Sequence, residues 1–265
     1  MSPNPNAIAA ADTFHLPLTS VMMAGIIPAL FGLILTYFLA KRLINKGSKV
    51  TDKEVIVLET QNLPSFLTAL VAPLVAILLL ALRPLFDIKV DPLIALPLGG
   101  LIGALCMGKL RNINSYAING LSKMTPVAIM LLGTGALAGI IANSGLKEVL
   151  IQGLEHSGLP SYILAPISGV LMSLATASTT AGTAVASNVF SSTLLELGVS
   201  SLAGAAMIHA GATVFDHMPH GSFFHATGGS VNMDIKERLK LIPYESAVGL
   251  MMTIVSTLIF GVFKF

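Results

Sequence analysis

The sequence predicts an all-α, polytopic membrane protein that carries a re-entrant helical hairpin and a broken transmembrane helix. Three observations carry this expectation. Apolar residues fill 54% of the 265 positions and charged residues only 11%, against about 25% charged in ordinary soluble domains, and the mean hydropathy is +0.83. Two apolar pieces, each short for a bilayer crossing, flank a hydroxyl-rich tip at Thr176–Thr183. Four of the six histidines crowd into His209–His225, where Gly211, Pro219 and Gly221 interrupt an apolar run.

A membrane-crossing helix takes about 20 mostly apolar residues. In chain order the candidates are Leu18–Ala40, Phe66–Leu82, Leu93–Gly108 and Pro126–Ala142. Next comes the hairpin, with arms Tyr162–Ala175 and Ala181–Leu195, then Val199–Thr213 and finally Ser246–Phe263. Leu93–Gly108 is short, but bilayer thinning or snorkelling of Lys109 lets such a helix span. The opening, Met1–Asn6, is polar and Pro-rich and lacks the basic region and apolar core of a cleavable signal; it reads as an interior loop leading into Ala-rich sequence. The expected organisation is residues 1–64 as N-terminal loop, first helix and cytoplasmic linker, and 65–265 as a transporter repeat. Within that repeat the hairpin covers about 161–196 and the broken helix about 199–232.

Three loops hold 11 of the 15 Lys and Arg: Lys41–Lys53, Lys109–Lys123 and Lys236–Lys240. The positive-inside rule puts them in the cytoplasm, and Arg83–Pro92 and Asn143–Pro160 outside. The net charge of +2 suggests no nucleic-acid partner. The single cysteine, Cys106, excludes an internal disulfide and reads as a small packing residue.

The hairpin tip places Thr176, Ser178, Thr179, Thr180 and Thr183 beside Gly182. A helix N-terminus at mid-membrane offers unpaired N–H groups and partial positive charge, so it binds an anion without a full cation; hydroxyls add donors. The alternative is a helix interface where small residues let backbones approach.

The second candidate is Asp216-His217-Met218-Pro219-His220. Ionisable groups at membrane depth are costly and mark sites or pathways. Histidine titrates near neutral pH and is suited to carrying a coupling proton, with Asp216 sharing it. His217, His220, His225 and Asp216 are also metal-ligand types, but their spacing matches no standard zinc signature, so no metal and no cofactor are expected. His209 and His225 read equally as satisfied buried or interfacial histidines. Lys236–Lys240 reads as an interfacial helix with solvated charges, Asn143-Ser144-Gly145 as a helix stop, Lys147–His156 as an amphipathic outer segment, and Glu196 and Glu245 as helix-end residues.

In Ser2–Ala11, Gly133–Gly145, Ala177–Thr183 and Gly211–Phe224 the chain resembles the gluconate permease family of proton-coupled carboxylate symporters. The likeness runs through nearly all of the chain and covers the later part of the family's length. It implies two inverted repeats, each with a hairpin and a broken helix meeting at a central site, with Ser178 and Thr179 at the substrate-binding tip and His217 in the broken helix. Where gluconate members show Asn-Asp before Gly-Phe, this chain has Met218-Pro219-His220, which points from gluconate toward a shorter hydroxy-carboxylate such as 3-hydroxybutyrate or glycerate. The expected substrate-binding residues are Ser178, Thr179, Thr180, Thr183, His217 and Ser222. The expected proton relay is Asp216, His217 and His220. The function that follows is symport of a small organic acid with protons by a multi-pass inner-membrane protein. Its expected partners are the lipid bilayer, a missing N-terminal repeat and a second copy in a homodimer. A truncated, inactive permease fragment and a metal-dependent membrane enzyme are the alternatives from other classes.

Overall fold

The computed structural model describes residues 4–46, 64–86, 88, 90–231 and 233–265. Most of the linker expected on the cytoplasmic side, with Lys49 and Lys53, lies outside the described residues. The chain is an all-α membrane protein, and no strand occurs among the described residues. Two helical stretches, Leu18–Leu43 and Ile235–Val262, are long and apolar enough to cross a bilayer. Chain contacts divide the molecule into Met1–Ile56 with Met130–Phe265, and Val57–Ile129.

The smaller unit contains α4 (Phe66–Phe86), α5 (Pro92–Cys106) and the start of α6 (Ile113–Ala142). Asp91 caps α5 by accepting from Leu93 N at 2.7 Å. Gly99 and Gly103 let α5 lie directly on α4: a Cβ at Gly103 would sit 2.6 Å from the Ala72 Cβ. The helix expected over Pro126–Ala142 begins at Ile113 instead, because the polar residues before it continue the helical ladder that hydropathy alone does not report.

The larger unit opens with a departure from expectation. From Pro5 the expected loop is instead helical, as α1 (Pro5–Thr13). Asn4 accepts from Ala7 N at 2.8 Å, and Pro5 takes the first helical position, where its missing N–H costs nothing. Ala7, Ala10 and Ala11 are buried against the rest of the unit. The first predicted span is parted at Gly25 into α2 (Leu18–Ala24) and α3 (Ile26–Leu43). α7 (Leu146–Ser157) follows α6.

The hairpin is α8 (Leu164–Thr176) and α9 (Thr179–Glu196), joined by Ala177 and Ser178. Thirteen residues of α8 rise about 20 Å, short of a hydrocarbon core of about 30 Å. α10 (Ser201–Gly211) is shorter still. It crosses α8 at a reciprocal pair of glycines: a Cβ at Gly169 would lie 2.3 Å from Ile208 O, and one at Gly211 would lie 2.4 Å from Pro166 O. Only glycine lets two helix backbones approach this closely.

Residues 212–221 are non-helical, after which come α11 (Ser222–Gly229), α12 (Ile235–Leu239) and α13 (Ile242–Ser256), the last continued by a π-helical turn, Thr257–Val262. Phe190, Leu194, Met207, Ile208 and Phe224 are among the largest fully buried side chains of this unit. They hold the hairpin and the broken helix against one another.

Candidate functional site

The site forms where the α8–α9 turn meets the break after α10. Ala177 takes a left-handed conformation, φ 45°, which turns the chain within two residues. Ser178 then caps α9, its hydroxyl accepting from Ala181 N at 3.2 Å. This cap is the reason α9 starts at the tip, so the tip is a helix N-terminus.

Two more N-termini converge there. Thr180 Oγ1 in the first turn of α9 donates to Asn6 Oδ1 in the first turn of α1. Gly221, the N-cap of α11, has no side chain to cap with and lies against Ala177: a Cβ there would be 2.3 Å from Ala177 O. Three helix starts, from α1, α9 and α11, therefore surround Ala177–Thr180.

The break contributes charge. Asp216 Oδ2 accepts from Thr179 Oγ1 at 2.5 Å, and Asp216 Oδ1 lies 3.2 Å from His217 Nδ1. His217 is 1% exposed, and its Nε2 lies 2.9 Å from Ser246 Oγ on α13. His217 therefore has an oxygen partner at each ring nitrogen, an Asp216 carboxyl oxygen at Nδ1 and the Ser246 hydroxyl at Nε2. The result is a hydrogen-bonded chain, Ser246–His217–Asp216–Thr179, joining α13 to the hairpin through the break. A cavity of about 400 Å³ reaches Asp216 and His217 between apolar walls that include Leu39, Leu43, Phe223, Val248 and Met252.

The other predicted residues fall elsewhere. His220 is exposed, and its Nε2–H donates to Leu174 O at 3.1 Å, so it ties the break to the end of α8 rather than joining the Asp216 chain. Ser222 begins α11 and is exposed. Thr183 is fully buried one turn behind the tip. His209 is buried in α10, and His225 is exposed with its ring edge-on to Phe224. Among the described residues, no group of three or more His, Cys, Asp or Glu is placed to hold a metal ion.

Asn6 and Ser246 belong to the arrangement and are absent from the sequence expectation. Asn6 had a signal, the Asn-Pro-Asn helix-start pattern. Ser246 had none.

The segment Lys236–Lys240 is a correction. Its central Arg238 is not solvated but 2% exposed. It donates to Glu245 Oε2 at 2.7 Å and Thr227 Oγ1 at 3.1 Å, and it lies over the Phe224 ring at 4.9 Å. Phe223 and Phe224 of α11 lie over the guanidinium, which burial permits only with a paired charge. Arg238 on α12 thereby links α11, through Thr227, to α13, through Glu245. Replacing Glu245 with Ala leaves that cation uncompensated. The expected loss is about 3 kcal/mol, the low end for a broken buried pair because Glu245 keeps some exposure. The double substitution Arg238→Met with Glu245→Leu is expected to recover most of it, as measured by denaturant titration in detergent.

Residues 68–157 match the sequence model of a Na+-H+ antiporter family, a stretch that stops short of the hairpin. No solved structure matches the chain. The family match supports proton-coupled membrane transport in general terms; it extends neither to gluconate nor to symport.

Proposed function

We propose that the protein carries a small organic acid across the cell's inner membrane together with a proton, the acid held at Ala177–Thr180 and the proton on Asp216 and His217. The convergence of three helix N-termini on the hairpin tip is the observation that carries this reading. Each helix start acts as about half a positive charge. With Asp216 ionised, roughly one negative charge opposes about one and a half positive; with Asp216 protonated, the positive ends are unopposed. Removing a unit charge about 5 Å away in a medium of effective dielectric near 20 is worth about 3 kcal/mol, on the order of 100-fold in affinity. Proton and acid then bind with positive coupling, and by linkage each favours the other. Thr179 and Ser178 are suited to the carboxylate and any α- or β-hydroxyl of a substrate such as 3-hydroxybutyrate or glycerate. A second hairpin, from an N-terminal repeat or a second copy, would close the site from the opposite side.

A second reading, cation–proton antiport, is favoured by the family match over residues 68–157 and by the Asp216 carboxylate beside the Thr179 hydroxyl, an oxygen pair suited to a hard cation. The two readings differ in sign. In symport, lowering the pH tightens binding of the acid. In antiport, protons compete with Na+ for Asp216. Measuring the apparent affinity of proteoliposomes for 3-hydroxybutyrate, gluconate and Na+ across pH 5.5–8 separates them. Acid affinity rising toward low pH supports symport; Na+ affinity rising toward high pH, with no acid uptake, overturns it. Replacing His217 with Ala is expected to remove most of the pH dependence of uptake, and a variant with the wild-type pH profile would exclude this histidine from the relay.

A further inference from the structure

Hydroxyl side chains recur at every fourth position of α9: Thr179, Thr183, Ser187 and Ser191. Four-residue spacing places them in one row along the helix, about 18 Å from first to last. The row begins at Asp216, to which Thr179 donates. Thr183 and Ser187 are fully buried, and neither hydroxyl has a hydrogen-bond partner. Ser191, toward the Glu196 end of the helix, is half-buried.

Helical hydroxyls in this fold can satisfy themselves locally. Thr36, Thr125, Thr176, Thr253 and Thr257 each satisfy themselves on the carbonyl one turn back. Thr183 and Ser187 do not, and a buried hydroxyl without a partner is costly. Such orphans signal a bound water or ion. Thr193 and Ser256 are also unpartnered, but they stand off this row. Successive hydroxyls of the row lie about 6 Å apart along the helix, a gap that two waters close with hydrogen bonds of about 2.8 Å each.

We propose that the Thr179–Thr183–Ser187–Ser191 row holds ordered water and is the proton's path between Asp216 and the Glu196 end of α9. The water-binding part stands alone; the proton's part rests on the symport reading. Each hydroxyl accepts a proton from the water on one side and releases its own to the next. One proton enters at Ser191 and one arrives on Asp216, and only O–H bonds are exchanged. The row runs behind the tip, so proton and acid reach Asp216 by different routes.

The test uses the full-length protein in proteoliposomes containing a pH-sensitive dye, with 3-hydroxybutyrate as the driving solute, and thermal melts of the same preparations. Thr183→Val with Ser187→Ala removes both buried hydroxyls at nearly constant shape. The expected result is proton uptake reduced at least tenfold, affinity for the acid within twofold of wild type, and a lower melting temperature, because the water loses its partners. Thr183→Ser is expected to restore uptake, and Ser187→Ala alone gives an intermediate loss should the double variant fold poorly. Unchanged uptake with a raised melting temperature, the outcome for hydroxyls that are merely orphaned, overturns the proposal. Failure of the symport reading shows in the wild type itself as an absence of acid-driven proton uptake. That result overturns the proton's part, while the melts still decide whether water is held.

Discussion

Replacing Asp216 with Asn is expected to uncouple the protein. Asn keeps the size of the side chain and an oxygen to accept from Thr179, whose hydroxyl now donates to Asp216 at 2.5 Å, but it neither binds nor releases a proton. The helix N-termini at the tip then face no opposing charge at any pH. Affinity for the acid is expected to stay near the acidic limit of the wild type across the whole range, on the order of 100-fold tighter at neutral pH than the wild type. Accumulation against a gradient is expected to collapse to equilibration, because no proton accompanies the acid. The measurement is paired: binding by titration in detergent, and concentrative uptake in proteoliposomes. If the Asn variant still accumulates acid in proportion to the proton gradient, Asp216 is not the coupling group.

The second large effect concerns geometry rather than charge. Gly221 starts α11 against the hairpin tip, and a Cβ there would lie 2.3 Å from Ala177 O and 2.6 Å from the Ala177 Cβ. Both neighbours are short and held by backbone, so no flexible side chain swings aside to make room. Gly221→Ala must push the tip from the break, at a cost of about 1–3 kcal/mol for an overpacked core. The same displacement separates Thr179 from Asp216 and turns the α11 N-terminus away from the site. Acid affinity is expected to fall at least tenfold, with a lower melting temperature. Gly229→Ala, at the other end of α11 with nothing within 4 Å, is the control and is expected to behave as wild type. Normal affinity in Gly221→Ala would mean that α11 takes no part in binding.

Much of the architecture was legible because it rests on local pattern. Apolar runs and clustered Lys and Arg report a chain that crosses a bilayer, and short arms around Ser178 report a hairpin. Pro219 and Gly221 report a helix that cannot continue. Local hydropathy also misled in places. It missed α1, whose stability comes from an Asn4 cap and three buried alanines rather than from an apolar run. It also took Arg238 for a solvated charge, because nothing in Lys236–Lys240 announces that Glu245 and Phe224 close around the guanidinium.

The amino-acid order by itself determined an all-helical membrane chain, a hydroxyl-bearing turn and a histidine-bearing interruption, because hydrophobic period, helix caps and helix breakers act within a few residues. The tertiary structure alone decided which hydroxyl meets which charge. Thr179 bonds Asp216 across 37 positions, His217 meets Ser246 across 29, and Thr180 reaches Asn6 across 174. Those partners are chosen by how glycine-lined helices cross, and a crossing is set by the shapes of two surfaces together rather than by either segment alone.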